Sequence, residues 1–222
     1  MQRDGIRRVS VILGILVFAG GRACGDDKPC LDCHDMIRTN YSNGKSHPTI
    51  VPGCAGCHGD HTQSSASTSK HYLIAPASVL CSRCHAGVGD KEFAHAPVKM
   101  DCTVCHDPHG GSRAGLRAES NALCLECHST ASGAKFESNS PATLFGGQVS
   151  LPPHAFQNLR LLALSNDRGH PVSNHPVLLK ADDQWPAISC TVCHNPHGAD
   201  KSASMLVTES ESVEPLCQRC HK

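Results

Sequence analysis

Apolar residues are spread unevenly along this chain. They mass in one run, VSVILGILVFAGG, at residues 9–21. Arg3, Arg7 and Arg8 precede the run, and Gly21-Arg22-Ala23 offers small residues for cleavage after it. This order predicts an export signal over residues 1–23; an uncleaved anchor is the weaker alternative, since the run is shorter than a membrane span requires. Beyond it, apolar positions fall singly or in short groups. ESNALCLECHST (119–130) and SESVEPLCQRCH (210–221) place capping-type Ser or Asn ahead of an apolar residue, and predict short helices. AFQNLRLLALS (155–165) sets Phe156, Leu159, Leu162 and Ala163 at helical spacing, which predicts an amphipathic helix. SSASTSK (64–70) and ASGAKFESNSPATLFGG (131–147) are polar or Ser/Gly-rich and predict loops. No stretch alternates well enough to predict a sheet.

The short helices end on a phrase that recurs seven times, Cys-x-x-Cys-His. It occurs at Cys30–Cys33–His34, Cys54–Cys57–His58, Cys81–Cys84–His85, Cys102–Cys105–His106, Cys124–Cys127–His128, Cys190–Cys193–His194 and Cys217–Cys220–His221, and uses all but one of the 15 cysteines. This is the attachment signature of c-type haem: two thiols form thioethers to the porphyrin, and the following imidazole binds the iron. Structural zinc also uses Cys-x-x-Cys knuckles, but does not require a histidine directly after them. At the chain's histidine frequency, seven such histidines would arise by accident roughly once in a hundred million. The motifs therefore call for seven covalent haems c. The remaining cysteine, Cys24, follows the cleavage site, where a bacterial lipoprotein carries its lipid. Arg22 makes the upstream match poor, and the alternative is a free cysteine.

Composition then limits the fold. About two hundred residues after the signal would carry seven porphyrins, with one Trp (Trp185), two Tyr and five Phe. Such a chain buries too little side-chain surface to offset its conformational entropy. Haems must supply most of the core, and the apoprotein is expected to be largely unfolded. The predicted fold is mostly coil with short α-helices around a haem-stacked core, with essentially no β-sheet. Formal charge is zero, and haem propionates would make the holoprotein acidic. No basic stripe suggests nucleic acid.

Sorting the motifs by their neighbours exposes a repeat. In one class a second histidine stands three residues after the first: His61, His109 and His197. In the other, a leucine precedes the first cysteine: LCSRCH, LCLECH and LCQRCH. The classes alternate, and CLDCH at Cys30 reads as a lone member of the second. Each motif of the first class also has a histidine upstream near a proline: His47, His95 and His175. Of the 16 histidines, nine are left after the seven in the motifs: these six with His71, His154 and His170. Seven irons closed by two histidines each would take His47, His61, His95, His109, His175, His197 and, as the seventh, His170, with His71 the next candidate and His154 third. Met1, Met36, Met100 and Met205 share no repeat position, and the lack of methionine ligands implies low potentials.

Spacing sharpens one point. Two imidazoles on opposite faces of one iron put their α-carbons roughly 13 Å apart, given metal–nitrogen bonds of about 2.0 Å, whereas three residues reach at most about 11 Å. His109 cannot close the iron of His106; it must reach another haem, and so must His61 and His197.

The pairs, with CHDPHG and CHNPHG, resemble the doubled Cys-x-x-Cys-His family of multihaem cytochromes c, over nearly all of residues 28–222. That resemblance implies a coil and short-helix fold acting as an electron wire, in the periplasm or associated with the outer membrane. Implied partners are other redox proteins: a quinol-oxidising donor, further cytochromes, an outer-membrane porin or an extracellular cytochrome. The chain departs from the decahaem conduit subunits in its seven motifs, its opening half-unit and its insertion before the last pair. It divides into a signal (1–23), a five-haem region (24–128), a haem-free connecting segment (129–174) and a two-haem unit (175–222). Two other functions are open. A subunit of an extracellular cytochrome filament would lend a spare histidine to its neighbour. A reductase of a small nitrogen oxyanion would need an iron with an open position, and no Cys-x-x-Cys-Lys variant marks one, so no catalytic residue is assigned.

Overall fold

Two local structures alternate, one for each class of motif. In the computed structural model, which describes residues 28–32, 34–42, 47, 53–59, 72–110, 115–130, 136–137, 139–164, 169–178, 186–208, 210 and 212–222, the leucine-preceded motifs begin inside α-helices. These are α3 (Ala77–Ser82), α5 (Ser120–His128) and α6 (Glu214–Cys217). The lone motif at Cys30 begins the same way, in α1 (Lys28–Leu31), and α2 (Asp35–Ser42) follows it. The other class instead opens as a 3-10 turn: Cys54–Gly56, Cys102–Val104 and Cys190–Val192.

At the second and third of these turns the preceding residue explains the start. Asp101 Oδ1 accepts from Thr103 N at 2.8 Å, and Ser189 Oγ accepts from Thr191 N at 3.3 Å. Both satisfy donors that a helix start leaves unpaired. The helix α4 (Ala96–Met100), with Pro97 in its first turn, delivers the chain to Asp101.

Sheet structure among the described residues is limited to two antiparallel ribbons. β1 (Phe93–Ala94) pairs with β4 (Gly198–Ala199), Phe93 opposite Ala199 and Ala94 opposite Gly198. Lys91 Nζ extends the pairing to Asp200 at 2.7 Å. β2 (Ala142–Leu144) and β3 (Val149–Leu151) form a hairpin within the connecting segment. A loop was the expectation there; the hairpin closes because Phe145, Gly146 and Gly147 take φ of 53°, 64° and 92°, the left-handed backbone of tight turns.

The hairpin also builds an apolar cluster. Leu144 and Leu151 pack with Val104 of the motif at Cys102, flanked by Met100, Phe136, Phe145, Val149 and Phe156. The rings of Phe136 and Phe156 lie 4.5 Å apart. Among the described residues Leu144 is the largest side chain to be fully buried, and burial of a side chain this size contributes about 1.5–3 kcal/mol. The protein core is accordingly small.

The expected helix over 155–163 does not form. Pro153–Phe156 is a 3-10 turn, and the chain then runs extended beside the end of α5. Leu162 N donates to His128 O at 2.6 Å, and Thr130 N donates to Leu162 O at 3.3 Å. A short isolated helix is marginal on its own, and pairing with the open end of α5 satisfies backbone groups on both segments. No helix among the described residues is long and apolar enough to cross a membrane.

Candidate haem-binding sites

Each motif of the 3-10 class is pinned by a later segment. His58 bridges to Leu73, His106 to Leu116 and His194 to Leu206. On one side of each bridge the residue after the histidine donates its N–H: Gly59 to Tyr72 O, Asp107 to Gly115 O and Asn195 to Met205 O, at 2.7, 2.6 and 2.7 Å. On the other side Ile74, Arg117 and Val207 donate to the carbonyls of Cys57, Cys105 and Cys193, at 3.0, 2.9 and 2.8 Å. Tyr72, Gly115 and Met205 all take positive φ, 53°, 67° and 56°. Thus a three-residue return segment holds the second cysteine and the histidine of each site in one geometry. The sequence reading missed it. Its signal was the shared leucine eight residues before Cys81 and before Cys124.

The histidines meet in pairs. His47 faces His85 with ring centroids 5.8 Å apart, His58 faces His109 at 5.5 Å and His95 faces His128 at 5.9 Å. His106 faces His197 at 6.2 Å, His170 faces His194 at 6.3 Å and His175 faces His221 at 5.8 Å. Every pair joins one motif histidine to one from outside the motifs. The partner of His58 is His109, which follows another motif, in keeping with the reach argument. His61, His71, Cys24 and Cys33 lie outside the described residues. His34 is described, and so is His154, which stands exposed on the 3-10 turn at Pro153–Phe156.

These separations suit an iron held between two rings. With metal–nitrogen bonds of about 2.0 Å and a ring radius of roughly 1.1 Å, two ligating imidazoles have centres about 6.2 Å apart. The ring protons are arranged for the same purpose. Nδ1 of His128 lies 2.8 Å from Arg160 O, that of His194 2.8 Å from Ser204 O and that of His95 3.1 Å from Pro196 O. A carbonyl oxygen only accepts, so each Nδ1 carries the proton and Nε2 is left with its lone pair for a metal. At His170 a 3.3 Å bond runs the other way, from Val172 N to Nδ1. Burial first, and then the neighbouring imidazole, holds His95, His170 and His197 below the usual histidine range. Low basicity favours the neutral ring, the form that ligates.

The cysteines of successive motifs also approach each other. Cys81 is pushed up to about 11 by burial, by the neighbouring Cys102 and by a hydrogen bond with it. A hydrogen bond with Cys190 raises Cys124. In a haem-bound chain these sulfurs are thioethers, so their closeness marks neighbouring attachment points. Asn121 of α5 fixes the second contact. Its Nδ2 donates to Val177 O and Ile188 O at 2.7 and 2.8 Å, and its Oδ1 accepts from Cys190 N at 2.8 Å. One amide thereby clamps two motifs that lie on either side of the connecting segment.

A family model for the doubled CXXCH motif matches residues 95–133 and 186–222. Two stretches of the chain thus carry the doubled motif that is characteristic of multihaem c-type cytochromes. The first stretch contains the sites of His106 and His128, the second those of His194 and His221. In each, a 3-10 motif is followed by a helical one, so the chain's doubled unit is one turn-and-helix pair. No curated protein matches it. Among the described residues the fold is mostly coil with short helices, as the composition predicts, with minor β content.

Proposed function

We propose that this cytochrome carries seven covalent haems, each iron held between two histidines, and that it acts as an electron wire rather than as an enzyme. The observation that carries the reading is the pairing: six motif histidines each face a different histidine from outside the motifs. Haem supplies one-electron iron chemistry, and a ligand on both faces leaves the iron no open position for substrate. The chain's part is to hold the imidazoles with Nε2 free and to keep successive attachment points close.

A supply rule supports the count of seven. The histidine upstream of each unit faces the helical motif of that same unit: His47 with His85, His95 with His128, His175 with His221. The histidine three residues after a 3-10 motif faces the 3-10 motif of the preceding unit: His109 with His58, His197 with His106. His194 is faced instead by His170 of the connecting segment. His61 holds the matching place after its own 3-10 motif, and the preceding site it would serve is that of His34, in the lone helical motif.

Export to the periplasm, association with the outer membrane and transient docking to other redox proteins complete the reading; the basic and apolar start of the chain supports the first. Intact mass after acid–solvent denaturation should give the polypeptide plus seven haems, and the oxidised protein should bind neither carbon monoxide on reduction nor nitrite. Fewer than seven haems, or a haem that takes up such a ligand, would overturn it.

A further inference from the structure

The three return segments superimpose three versions of one site, and only the central version is charged. The residue after the motif histidine is Gly59 in the first, Asp107 in the second and Asn195 in the third. The last residue of the return segment is Ile74, Arg117 and Val207 in turn. The backbone hydrogen bonds are the same in all three, so neither charge of the central site is required to build the turn.

Each charge has a definite direction. Arg117 lies against the motif at Cys102: its Nε donates to Thr103 O at 2.7 Å, its backbone N–H to Cys105 O, and its side chain is only 13% exposed. Asp107 points the other way. Its Oδ1 accepts from His109 N at 2.9 Å and stands 3.9 Å from His109 Nδ1, while its Oδ2 is 4.0 Å from Arg117. His109 faces His58, not His106. Cation and carboxylate therefore serve two different haem sites, the guanidinium the one attached at Cys102 and Cys105, the carboxylate the one attached at Cys54 and Cys57.

We propose that the Asp107–Arg117 pair makes these two neighbouring sites unequal, favouring the reduced iron at the Cys102–Cys105 site and the oxidised iron at the site closed by His58 and His109. This rests on the reading that both sites hold haem. A nearby positive charge stabilises the less positive, reduced state, and a negative charge does the reverse. The pair is thus a built-in bias for the electron to sit on one side of the junction.

The chain supplies its own neutral replacements. Asn195 Oδ1 accepts from His197 N at 3.0 Å, the bond that Asp107 makes to His109, so Asp107→Asn keeps the turn. Val207 keeps the backbone bond without a cation, so Arg117→Val keeps the return segment. Spectroelectrochemical titration of the holoprotein, with midpoints resolved by EPR of the individual low-spin irons, reads the result. Arg117→Val should change the oxidised-to-reduced ratio at one centre about tenfold toward oxidised, a fall of about 59 mV by the one-electron conversion. Asp107→Asn should move a different centre roughly threefold toward reduced, less because the carboxylate is more exposed and more screened. Arg117→Lys should restore the midpoint that Arg117→Val lowers. Midpoints unmoved in both neutral variants, or the same centre moved by both, would overturn the proposal. Variants and parent without covalent haem by intact mass would instead overturn the reading on which it rests.

Discussion

Gly198 is the position where a single methyl group should do the most damage. Its φ is 129°, where side-chain-bearing residues are rare, and a β-carbon there would stand 2.7 Å from Phe93 O, 2.8 Å from Ala94 Cα and 3.0 Å from Lys91 Cβ. Two of these are backbone atoms of β1, so the contact cannot be relieved by turning a side chain. Backbone strain of this kind costs about 1–3 kcal/mol. Parting the β1–β4 ribbon removes one or two hydrogen bonds at about 1 kcal/mol each. Gly198→Ala should therefore lose about 3 kcal/mol. The control is Gly146→Ala: φ there is 64°, but nothing lies within 4 Å, so only the left-handed backbone is charged against it, about 1–2 kcal/mol. Guanidinium titration of both holoproteins, followed by the Soret change on loss of histidine ligation, measures the difference. Gly198→Ala should also perturb the site of His106, because the ribbon seats the loop that carries His197. Equal stabilities for the two variants, or a Gly198→Ala protein as stable as the parent, would refute the claim that glycine is there to admit the backbone of the preceding unit.

Three further outcomes are expected. His109→Met should raise one midpoint, since thioether ligation favours reduced iron, and the altered haem should be the one attached at Cys54 and Cys57; a change confined to the haem at Cys102 and Cys105 would contradict the pairing. Asn121→Ala should leave the haem count unchanged but raise hydrogen exchange at Cys190 N on the order of a hundredfold, from three hydrogen bonds lost at about 1 kcal/mol each; exchange at the parent rate would show that the amide clamps nothing. If Cys24 carries a lipid, Cys24→Ser should move the protein from the detergent phase to the aqueous phase with its haem spectrum intact, and a parent protein recovered in the aqueous phase removes the anchor.

The sequence by itself determined the attachment chemistry, because a thioether needs a cysteine and an axial ligand needs the adjacent histidine whatever surrounds them. It also decided that His109 must act away from His106, since covalent reach is a property of the chain and not of its fold. The short helices of the second motif class were legible too: α5 and α6 form where they were expected, before Cys124 and Cys217, although their N-cap residues are Glu119 and Val213 and neither caps through its side chain. Partnership across the chain was not legible. That His95 meets His128 and His197 meets His106 depends on the β1–β4 ribbon and on backbone carbonyls such as Arg160 O and Pro196 O, which any residue could present. The helix expected over 155–163 failed for the same reason. Its periodicity was a weak local preference, and the open backbone at the end of α5 offered Leu162 a better use of its hydrogen bonds. The hairpin at 142–151 was hidden because its turn rests on Phe145 in a conformation more often held by glycine, and because Leu144 and Leu151 find their burial against Val104, a residue of a haem motif. Only the folded chain reveals that the charges of Asp107 and Arg117 face different sites, since in sequence they are two ordinary residues ten positions apart.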